Sequence, residues 1–467
     1  MITMKFGGTS IEGAQRIRGV ARIVQEVWQK GERIVVVVSA MSGVTDSLIE
    51  AATSASKHDG ERFRCIKEVL LTRHLTTVEE LLQEGERKDA LRRKLGELLD
   101  GFGDLCQSIY ILGELTTRGL DAVSSLGERL SARILASLLC EEGASSISVD
   151  ATELIVTDDQ YGQASPLMPQ TREKVRARLL PLLEARTIPV VTGFIGATAE
   201  GITTTLGRGG SDYTAAIMGN CLDSDEIWIW TDVDGVMTAD PKVVKEAKTL
   251  VEISYAEMAE LCYFGAKVLH PKTIIPAMEK GIPLRIKNTF NPQHPGTLVV
   301  GEPVQTEQAV KSIAFIKGMS LVTVEGRGMV GVPGVAAKVF SIVAQQGISV
   351  VMISQSSSER NICFVIRQDV APQPLRALEE AFALELHRRN IDRIWAKNDV
   401  AIVAVVGAGM RGTPGIAAKV FGALGRHNIN IICIAQGSSE YNISCVIEEK
   451  DANAAVNYIH QEFALGE

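Results

Sequence analysis

The stretch Leu206-Gly-Arg-Gly-Gly-Ser-Asp-Tyr213 contains three glycines within four residues, and the helix-favouring segment 214–218 follows it directly. Glycines let a backbone approach a ligand closely, and the first turn of a helix presents unpaired N–H groups and the positive end of the helix dipole. Arg208 and Asp212 add a cation and a carboxylate, which suits a phosphate, a carboxylate or a metal–phosphate complex. The alternative is a plain strand-to-helix connection with Ser211 or Asp212 as the N-cap.

Similar loops follow other predicted strands in the first 300 residues. The three clearest pairs of strand and loop are Thr3–Phe6 with Gly7-Gly8, Ile34–Val38 with Ser39–Thr45, and Ile227–Trp230 with Thr231–Gly235. An amphipathic helix predicted over Ile11–Gln29 connects the first two strands. This βαβ pattern predicts an α/β fold with a parallel sheet and ligand loops at the carboxyl ends of its strands. The charge-rich residues 57–104 are expected to form a pair of helices, or a lid, on that sheet.

The composition is that of an ordinary globular protein, with 467 residues, 46% hydrophobic, 22% charged and a formal net charge of −8. The negative charge argues against nucleic acid or an anionic membrane as the main partner. The longest apolar runs are too short to cross a bilayer. The chain begins with a predicted strand and no signal-peptide core, so we expect a cytoplasmic location. The eight cysteines are scattered without a CxxC pair, which disfavours a disulfide framework or a zinc site.

The last third of the chain contains an internal repeat. Val332-Pro-Gly-Val-Ala-Ala-Lys-Val-Phe340 recurs as Thr413-Pro-Gly-Ile-Ala-Ala-Lys-Val-Phe421. Gly334, Gln355 and Asn361 each recur 81 positions later, so the two copies align without a gap. Each copy predicts a βαββαβ-like module, and two copies are too few for a solenoid, which favours packing side by side. The polar segment 301–308 before the repeat is predicted to be a linker.

The charged residues of the loops indicate an anion site. The chain has no Gly-x-x-x-x-Gly-Lys-Ser/Thr sequence and no Gly-x-Gly-x-x-Gly after its first strand, which disfavours a P-loop or a plain dinucleotide enzyme. Lys5 lies at the end of a predicted strand, and distant loops add three more cations, Arg208, Lys242 and Lys267. Cations that converge on one sheet edge suit a triphosphate, although a solvated surface charge is the simpler explanation for any single one.

Six motifs together resemble those of the aspartate kinases, which belong to the amino-acid kinase superfamily. They are Lys5–Ser10, Ser39–Thr45, Gly127-Glu128, Gly207–Asp212, Trp230–Gly235 and Phe264–Pro271. The repeat resembles the tandem ACT domains that follow the kinase domain in that family. The resemblance implies an amino-acid-kinase fold, with a mainly parallel central sheet flanked by helices, followed by two ferredoxin-like domains.

The domain boundaries expected on this basis are a catalytic domain over 1–300, a linker over 301–310, and ACT domains over 311–392 and 393–467. We also consider that the C-terminal segment returns to the first ACT domain.

The resemblance implies transfer of the γ-phosphoryl group of ATP to the β-carboxylate of L-aspartate, with Mg²⁺ as cofactor. The products are 4-phospho-L-aspartate and ADP, in the first step towards lysine, threonine and methionine. The chemistry is consistent, because a carboxylate with a pKa of about 4 is already ionised and needs no general base. The reaction requires neutralisation of the negative charge on the two reacting anions.

The resemblance also implies roles for individual residues. Lys5 would bridge the phosphates, Arg208 would hold a substrate carboxylate, and Asp212 would orient the reacting groups or the magnesium shell. The expected substrate contacts are Ser39, Thr45, Glu128 (for the ammonium group) and Arg208. The expected nucleotide contacts are Lys5, Gly7, Gly8, Thr231, Asp232, Met237, Lys242, Lys267 and Val268. No protein metal centre is expected.

Two nucleotide positions depart from the family pattern. Met237 stands where a tyrosine is common, and Lys242 where arginine is usual, so a stacked ring and a planar fork are both replaced. Glu114, in Leu112-Gly-Glu-Leu, is a second candidate for the role of Glu128, but the sequence around Glu128 is closer to the family motif.

The Pro-Gly loops of the repeat open helices and offer N–H groups to an amino-acid carboxylate. The expected effector contacts are Gly334, Gln355 and Asn361, with Gly415, Gln436 and Asn442 as counterparts. The segments around Gln355 and Gln436 resemble threonine-sensitive members more than lysine-sensitive ones, and homo-oligomers through the ACT domains are expected. The alternative for the repeats is that they only pair subunits. For the whole chain, the alternatives are an inactive amino-acid sensor and a kinase of another small acid.

Overall fold

The computed structural model describes residues 1–264, 269, 271–302 and 308–467. These residues form two compact units. The first comprises 1–236, 251–255, 269 and 271–302, and the second comprises 237–250, 256–264 and 308–467. No helix among the described residues is long and apolar enough to cross a membrane.

The first unit is built on an eight-stranded sheet, in the order β3-β4-β2-β1-β7-β9-β10-β8. Its strands are β1 (Ile2–Phe6), β2 (Ile34–Val38), β3 (Ser146–Val149), β4 (Ile188–Thr192), β7 (Glu226–Thr231), β8 (Glu252–Ser254), β9 (Leu284–Asn288) and β10 (Thr297–Val300). Only the β9–β10 pair is antiparallel. The strands β5 (Ile195–Ala197) and β6 (Thr203–Thr205) form a separate hairpin. All five residues of β2 are buried, as expected for an apolar run in a parallel sheet. The expected mainly parallel sheet is therefore confirmed.

Helices flank this sheet. They are α1 (Ala14–Gln29), α2 (Val44–Ser56), α3 (Gly60–Leu81), α4 (Glu86–Leu112), α5 (Thr117–Ser124), α6 (Leu126–Glu141), α7 (Met168–Glu184), α8 (Gly210–Leu222) and α10 (Ile275–Lys280). The helix α9 (Tyr255–Tyr263) belongs to the second unit from residue 256 onwards. The predicted helical pair over 57–104 is confirmed as α3 and α4. The first helix begins at Ala14 and not at Ile11, because Gly8–Ile11 forms a short 3-10 turn and Gly13, the N-cap of α1, has a φ of 86° that is not helical.

The second unit contains the two repeats in one antiparallel six-stranded sheet, in the order β12-β13-β11-β14-β16-β15. The first repeat contributes β11 (Ser312–Glu325), α11 (Val335–Gln345), β12 (Met352–Gln355), β13 (Asn361–Arg367), α12 (Pro372–Ala381) and α13 (Ala383–His387). The second contributes β14 (Arg393–Val406), α14 (Ile416–Arg426), β15 (Cys433–Ala435), β16 (Asn442–Glu448) and α15 (Ala452–Glu462). The predicted side-by-side pairing of two similar modules is confirmed.

The two long strands β11 and β14 join the modules. Both halves of β11 pair with β14, residues 312–316 with 402–406 and residues 319–325 with 393–400, and residues 319–325 also pair with β13. Register shifts between Ile316 and Leu321 separate the two halves of β11. The first half of β11 pairs with the part of β14 that is bonded to β16, so it adds a strand to the second repeat although it lies at the start of β11.

The core of the second repeat also includes residues from well before the predicted linker. Ala239 and Val244 are buried against the apolar side chains of this repeat. In addition, Glu257 of α9 is fully buried and forms an ion pair with Lys311. The compact second unit is therefore discontinuous in sequence.

Candidate active site

A cavity of about 270 Å³ opens at the carboxyl ends of β1 and β2 in the first unit. Its lining residues are Lys5, Ser39, Ala40, Thr45, Glu128, Phe194 and the segment Gly207–Asp212. Thr45, Glu128 and Asp212 each belong to the first turn of a helix, namely α2, α6 and α8. Three helices thus begin at this cavity, and the positive ends of their dipoles favour a negatively charged ligand.

Lys5 and Asp212 form an ion pair in this cavity. The Nζ atom of Lys5 lies 2.5 Å from Oδ1 of Asp212, and the two side chains are 11% and 14% exposed. Lys5 is the fourth residue of β1, so strand pairing fixes its backbone between Val37 and Ile229. The ammonium group of Lys5 therefore lies at the cavity on a strand that is paired on both sides.

The predicted glycines after β1 are next to this lysine. A Cβ atom at Gly7 would lie 3.6 Å from Nζ of Lys5, so the backbone at Gly7 passes close to the ammonium group. A Cβ atom at Gly8 would lie only 2.8 Å from the carbonyl oxygen of Ala40. Glycine at position 8 is therefore required for the close approach of the loops that follow β1 and β2.

Glu128 is buried at the cavity wall, 3% exposed. Its Oε1 atom accepts a hydrogen bond from the N–H of Ala40 at 3.1 Å, whereas Oε2 has no hydrogen-bond partner among the described residues. Burial raises the pKa of this carboxyl group to about 8, against the opposing effect of the Ala40 hydrogen bond. Glu114, the other candidate, is exposed and does not line the cavity.

The glycine-rich stretch forms the opposite wall. Gly207 and Gly209 have φ angles of 76° and 74°, in the left-handed region that glycine adopts without strain. A Cβ atom at Gly210 would lie 2.7 Å from the Phe194 ring. The capping alternative is wrong, because α8 begins after Gly209 and has no side-chain cap. Arg208 is exposed and has no ion-pair partner in the described parts of the chain.

Two residues that matter for this wall were not predicted from the sequence. Asp121 is buried and accepts hydrogen bonds from the N–H groups of Thr205 and Gly162 and from the Thr205 hydroxyl, at 2.7–3.0 Å. Burial raises its pKa. Asp121 thus fixes the end of β6, from which the glycine-rich stretch starts. Phe194, with a φ of 69°, lines the cavity itself. Neither residue belongs to a recognisable motif, so only the structure finds them.

The predicted nucleotide residues are dispersed. Thr231 is the last residue of β7, which is next to β1 in the sheet, and Asp232 follows it. The Thr231 hydroxyl donates to Oδ1 of Asp232 at 3.2 Å. Met237 and Lys242 belong to the second unit and do not line the cavity. The prediction for Lys267 and Val268 falls outside the described residues.

The predicted effector residues lie on the repeats of the second unit. Gly334 and Gly415 directly precede α11 and α14, with φ angles of 91° and 88°. In the second repeat, Gly415 and Gln436 line a cavity of about 280 Å³, together with Thr413 and Glu440. Asn442 does not line that cavity, and its side-chain amide donates to Glu260 of α9. Gln355 and Asn361 of the first repeat occupy the end of β12 and the start of β13.

Both repeats hold the Pro-Gly loop in the same way. In the first repeat, Glu359 accepts a hydrogen bond from the N–H of Gly331 at 2.8 Å. In the second, Glu440 accepts one from the N–H of Gly412 at 2.7 Å. Both glutamates adopt positive φ angles, 52° and 57°. The internal repeat therefore extends from the sequence to individual loop contacts.

Protein-family models match the chain in two regions. The amino acid kinase family matches residues 1–288, and the ACT domain matches residues 322–382 and 403–463. The bifunctional aspartokinase/homoserine dehydrogenase 1 of Zea mays is 39% identical over 466 residues, which are 99% of this chain and 50% of that protein. The chain thus spans about half the length of the curated relatives that it matches first.

Solved structures show the same architecture along the whole chain. E. coli aspartokinase III in complex with aspartate and ADP (R-state) is 30% identical, with a TM-score of 0.83 and 99% of both chains covered. The same E. coli enzyme in complex with lysine and aspartate (T-state) has a TM-score of 0.80, again with 30% identity and 99% coverage of both chains. A mainly parallel α/β sheet followed by antiparallel ACT domains is therefore common to these proteins and to this chain.

Proposed function

The chain belongs to the amino acid kinase family and, within it, to the aspartokinases, and from this premise we propose that it phosphorylates the β-carboxylate of L-aspartate with ATP. The products are 4-phospho-L-aspartate and ADP, and the reaction opens the pathway to lysine, threonine and methionine. The observation that carries the proposal is a single cavity lined by Lys5, Arg208 and Glu128. That set provides two cations for anionic groups and one carboxyl group for an ammonium group.

Each charge has a counterpart in the proposed reaction. Lys5 is fixed at the end of β1 and neutralises the phosphoryl oxygens as negative charge spreads over them. Arg208, exposed and without an ion-pair partner in the described structure, binds the α-carboxylate of aspartate as a planar fork. Thr45 and Ser39, on the opposite wall, donate hydrogen bonds to a substrate carboxylate. Glu128 binds the ammonium group, which replaces the missing partner of its Oε2 atom.

Magnesium enters with the nucleotide in this proposal. Mg²⁺ in kinases is usually held by one or two carboxylates together with phosphate oxygens and water. Asp212 supplies a carboxylate beside Lys5 at the cavity, which suits this chemistry. Gly7, Gly8, Thr231 and Asp232 then contact the phosphates and the nucleoside, and Met237 and Lys242 remain proposed nucleotide contacts.

The direct test is ADP release with L-aspartate, L-glutamate and N-acetylglutamate offered in turn, each with MgATP. We expect turnover with aspartate only. Turnover with glutamate and none with aspartate would assign the chain to another amino-acid substrate. No turnover together with retained aspartate binding would support the alternative of an inactive sensor.

Two variants test the roles of the cavity residues. Arg208→Lys keeps the charge but loses the planar fork, so KM for aspartate should rise roughly tenfold or more while nucleotide affinity stays the same. Lys5→Ala should lower kcat, because the lost interaction acts on the transferred group. Wild-type turnover in either variant would contradict the assignment.

We further propose that the ACT repeats bind an amino-acid effector, with threonine favoured over lysine, and that they assemble the chain into homo-oligomers. The cavity at Gly415 and Gln436, together with the equivalent loop at Gly334, supports an amino-acid site. Lysine remains the competing effector, since it is bound in the similar T-state structure. Calorimetric titration with each amino acid, on wild type and on Gln436→Ala, decides between them. Binding of lysine alone would reverse the preference.

A further inference from the structure

The turn that follows β9, residues Asn288–Asn291, contacts the loop after β7. The side-chain amides of Asn288 and Asn291 both donate to Oδ1 of Asp234, at 2.9 and 3.1 Å. The N–H of Thr289 donates to the carbonyl oxygen of Thr231 at 2.9 Å. These bonds hold the loop 231–235 at its first residue and at Asp234. We call residues 288–291 the β9 turn.

The β9 turn also contacts the loop after β1. The hydroxyl groups of Thr289 and Ser10 are 2.7 Å apart and buried. Ser10 in turn donates its N–H to the carbonyl oxygen of Gly7 at 3.0 Å. Next to this pair, the guanidinium group of Arg16 lies 5.0 Å from the centre of the Phe290 ring. Arg16 also donates to the carbonyl oxygen of Thr9 at 2.7 Å.

These contacts converge on the two loops that the proposed function assigns to the nucleotide. Both loops contain glycine, at Gly7 and Gly8 after β1 and at Gly235, with a φ of 136°, after β7. Glycine permits many backbone conformations, so strand pairing alone does not set the separation of such loops beyond the sheet edge. Groups that bind a ligand must be held to within a fraction of an ångström by supporting contacts.

We propose that the β9 turn is a positioning element for the nucleotide, with Asn288 and Thr289 as its two positioning residues. Asn288 fixes the β7 loop through Asp234, and Thr289 fixes the β1 loop through Ser10. Neither side chain touches the nucleotide in this proposal. The inference rests on the proposed function for the identity of the ligand, whereas the five contacts of the β9 turn are observed in the structure.

The contacts of Asn288 allow its role to be tested by exchanging the amide of Asn288 and the carboxylate of Asp234. In addition to its donation to Asp234, Asn288 accepts the N–H of Phe290 through Oδ1 at 2.9 Å. In Asn288→Asp, this acceptor is kept while the donor to Asp234 is replaced by a second carboxylate. In the double variant Asn288→Asp with Asp234→Asn, an amide nitrogen takes the position of Oδ1 of Asp234 and donates to the new carboxylate at position 288. The exposed Asn291 bonds the same atom, so its side-chain amide must turn over and present its oxygen to that nitrogen.

The test measures the affinity for Mg-ADP by calorimetry, and KM for ATP and for aspartate in the intact chain. Asn288→Asp should weaken Mg-ADP binding about tenfold and raise KM for ATP similarly, because one charge-assisted bond is lost and two carboxylates repel. KM for aspartate should change less than twofold. The double variant should recover most of the lost Mg-ADP affinity. Asn453→Asp, an exposed asparagine in α15, adds the same charge elsewhere and should have no effect.

A second pair of variants tests Thr289, and it provides an independent test of the proposal if Asn288→Asp fails to fold. Thr289→Val removes only the hydroxyl group that bonds Ser10, whereas Thr289→Ser retains it. We expect weaker Mg-ADP binding for valine and near wild-type binding for serine. Unchanged affinity in Asn288→Asp and in Thr289→Val, or no recovery in the double variant, would overturn the proposal.

The outcomes also separate this inference from the proposed function. A wild-type chain that binds Mg-ADP but does not phosphorylate aspartate refutes the function and leaves the positioning test in force. A wild-type chain that does not bind Mg-ADP refutes both.

Discussion

Glu128 illustrates how burial prepares a side chain for a charged ligand. In the ligand-free chain its pKa is raised to about 8, so the carboxyl group is mostly protonated at pH 7. An ammonium group beside it favours the carboxylate and lowers the pKa again. Binding of L-aspartate at pH 7 should therefore release close to one proton, and affinity should rise with pH up to about 8.

Calorimetry in buffers of different ionisation enthalpy measures this proton release. Glu128→Gln, which cannot ionise, should bind aspartate weakly, without proton release and with a flatter pH dependence. If the wild type releases no proton, Glu128 is already ionised before binding and the argument from burial fails.

His74 in α3 is a second buried titratable group, remote from any predicted motif. It is fully buried, and its Nδ1 atom lies 2.7 Å from the carbonyl oxygen of Leu70. Burial, aided by the charge of Arg73, lowers its pKa to about 4. The unfolded chain takes up a proton at this histidine near pH 6.5, whereas the folded chain does not until about pH 4. Stability should therefore fall as the pH drops through this window.

The expected loss between pH 7 and pH 5 is about 2 kcal/mol of the free energy of unfolding. Urea unfolding of wild type and of His74→Leu at both pH values measures it, and the variant should lack this part of the pH dependence. Equal pH dependence in the two proteins would show that His74 does not titrate in this way.

The residues of the cavity also show which site residues sequence motifs can predict and which they cannot. Lys5, Arg208 and Asp212 were predicted from short motifs whose residue types suit an anion or a metal–phosphate complex, and Glu128 from the resemblance of its motif to that of the aspartate kinases. Asp121 was not, because it supports the site through backbone N–H groups of residues more than forty positions away. Nothing in the local sequence of such a residue distinguishes it from a surface carboxylate.

At the level of elements, the start of α6 depends on a glycine. A Cβ atom at Gly127 would lie 2.5 Å from Cβ of Ala40, whose N–H binds Glu128. Gly127→Ala should push the first turn of α6 away from the β2 loop. We expect it to lower the free energy of unfolding by about 1–3 kcal/mol and to raise KM for aspartate.

Gly19→Ala is the matched control, because a Cβ atom at Gly19 in the middle of α1 meets nothing within 4 Å. Alanine there should stabilise the helix by about 1 kcal/mol without any change in KM. Thermal unfolding and kinetics of both variants test the pair. A Gly127→Ala variant with wild-type stability and activity would show that the loop after β2 can move to accept a Cβ atom without loss of stability.

The elements themselves were largely predictable, since apolar runs and helical periodicity indicate buried strands and amphipathic helices. The boundaries were less so. α1 begins only after Gly13, and α8 begins after Gly209 without a side-chain cap. In both cases the backbone conformation of a glycine determines where the helix begins. Such choices depend on φ angles that neighbouring loops impose.

At the level of the whole chain, a buried ion pair joins distant parts of the second unit. Lys311 is 7% exposed at its side chain, and its Nζ atom lies 3.3 Å from Oε2 of Glu257, which is fully buried. Oε1 of Glu257 accepts the N–H of Ala408 at 2.6 Å. Glu257 belongs to α9, Lys311 directly precedes β11, and Ala408 belongs to the second repeat.

Lys311→Met should destabilise the second unit by about 1–3 kcal/mol, because the buried Glu257 carboxylate loses one ammonium partner. Lys317→Met, at an exposed position of β11, should change stability by less than about 0.5 kcal/mol. Differential scanning calorimetry of the intact chain compares them. Equal melting temperatures in the two variants would contradict a structural role for the pair.

By sequence alone, the strand and loop pattern of the first 300 residues predicted the parallel sheet, the recurrence of 332–340 at 413–421 showed the internal repeat, and the loop motifs, including 206–213, supplied most of the cavity residues. They did so because residue types at short spacing restrict local backbone and charge. Only the tertiary structure decided that 312–316 pairs with 402–406, that Ala239 and Val244 enter the core of the second repeat, and that the β9 turn bridges two loops. These contacts join residues far apart in sequence, and their free energy arises only when the packed chain brings them together.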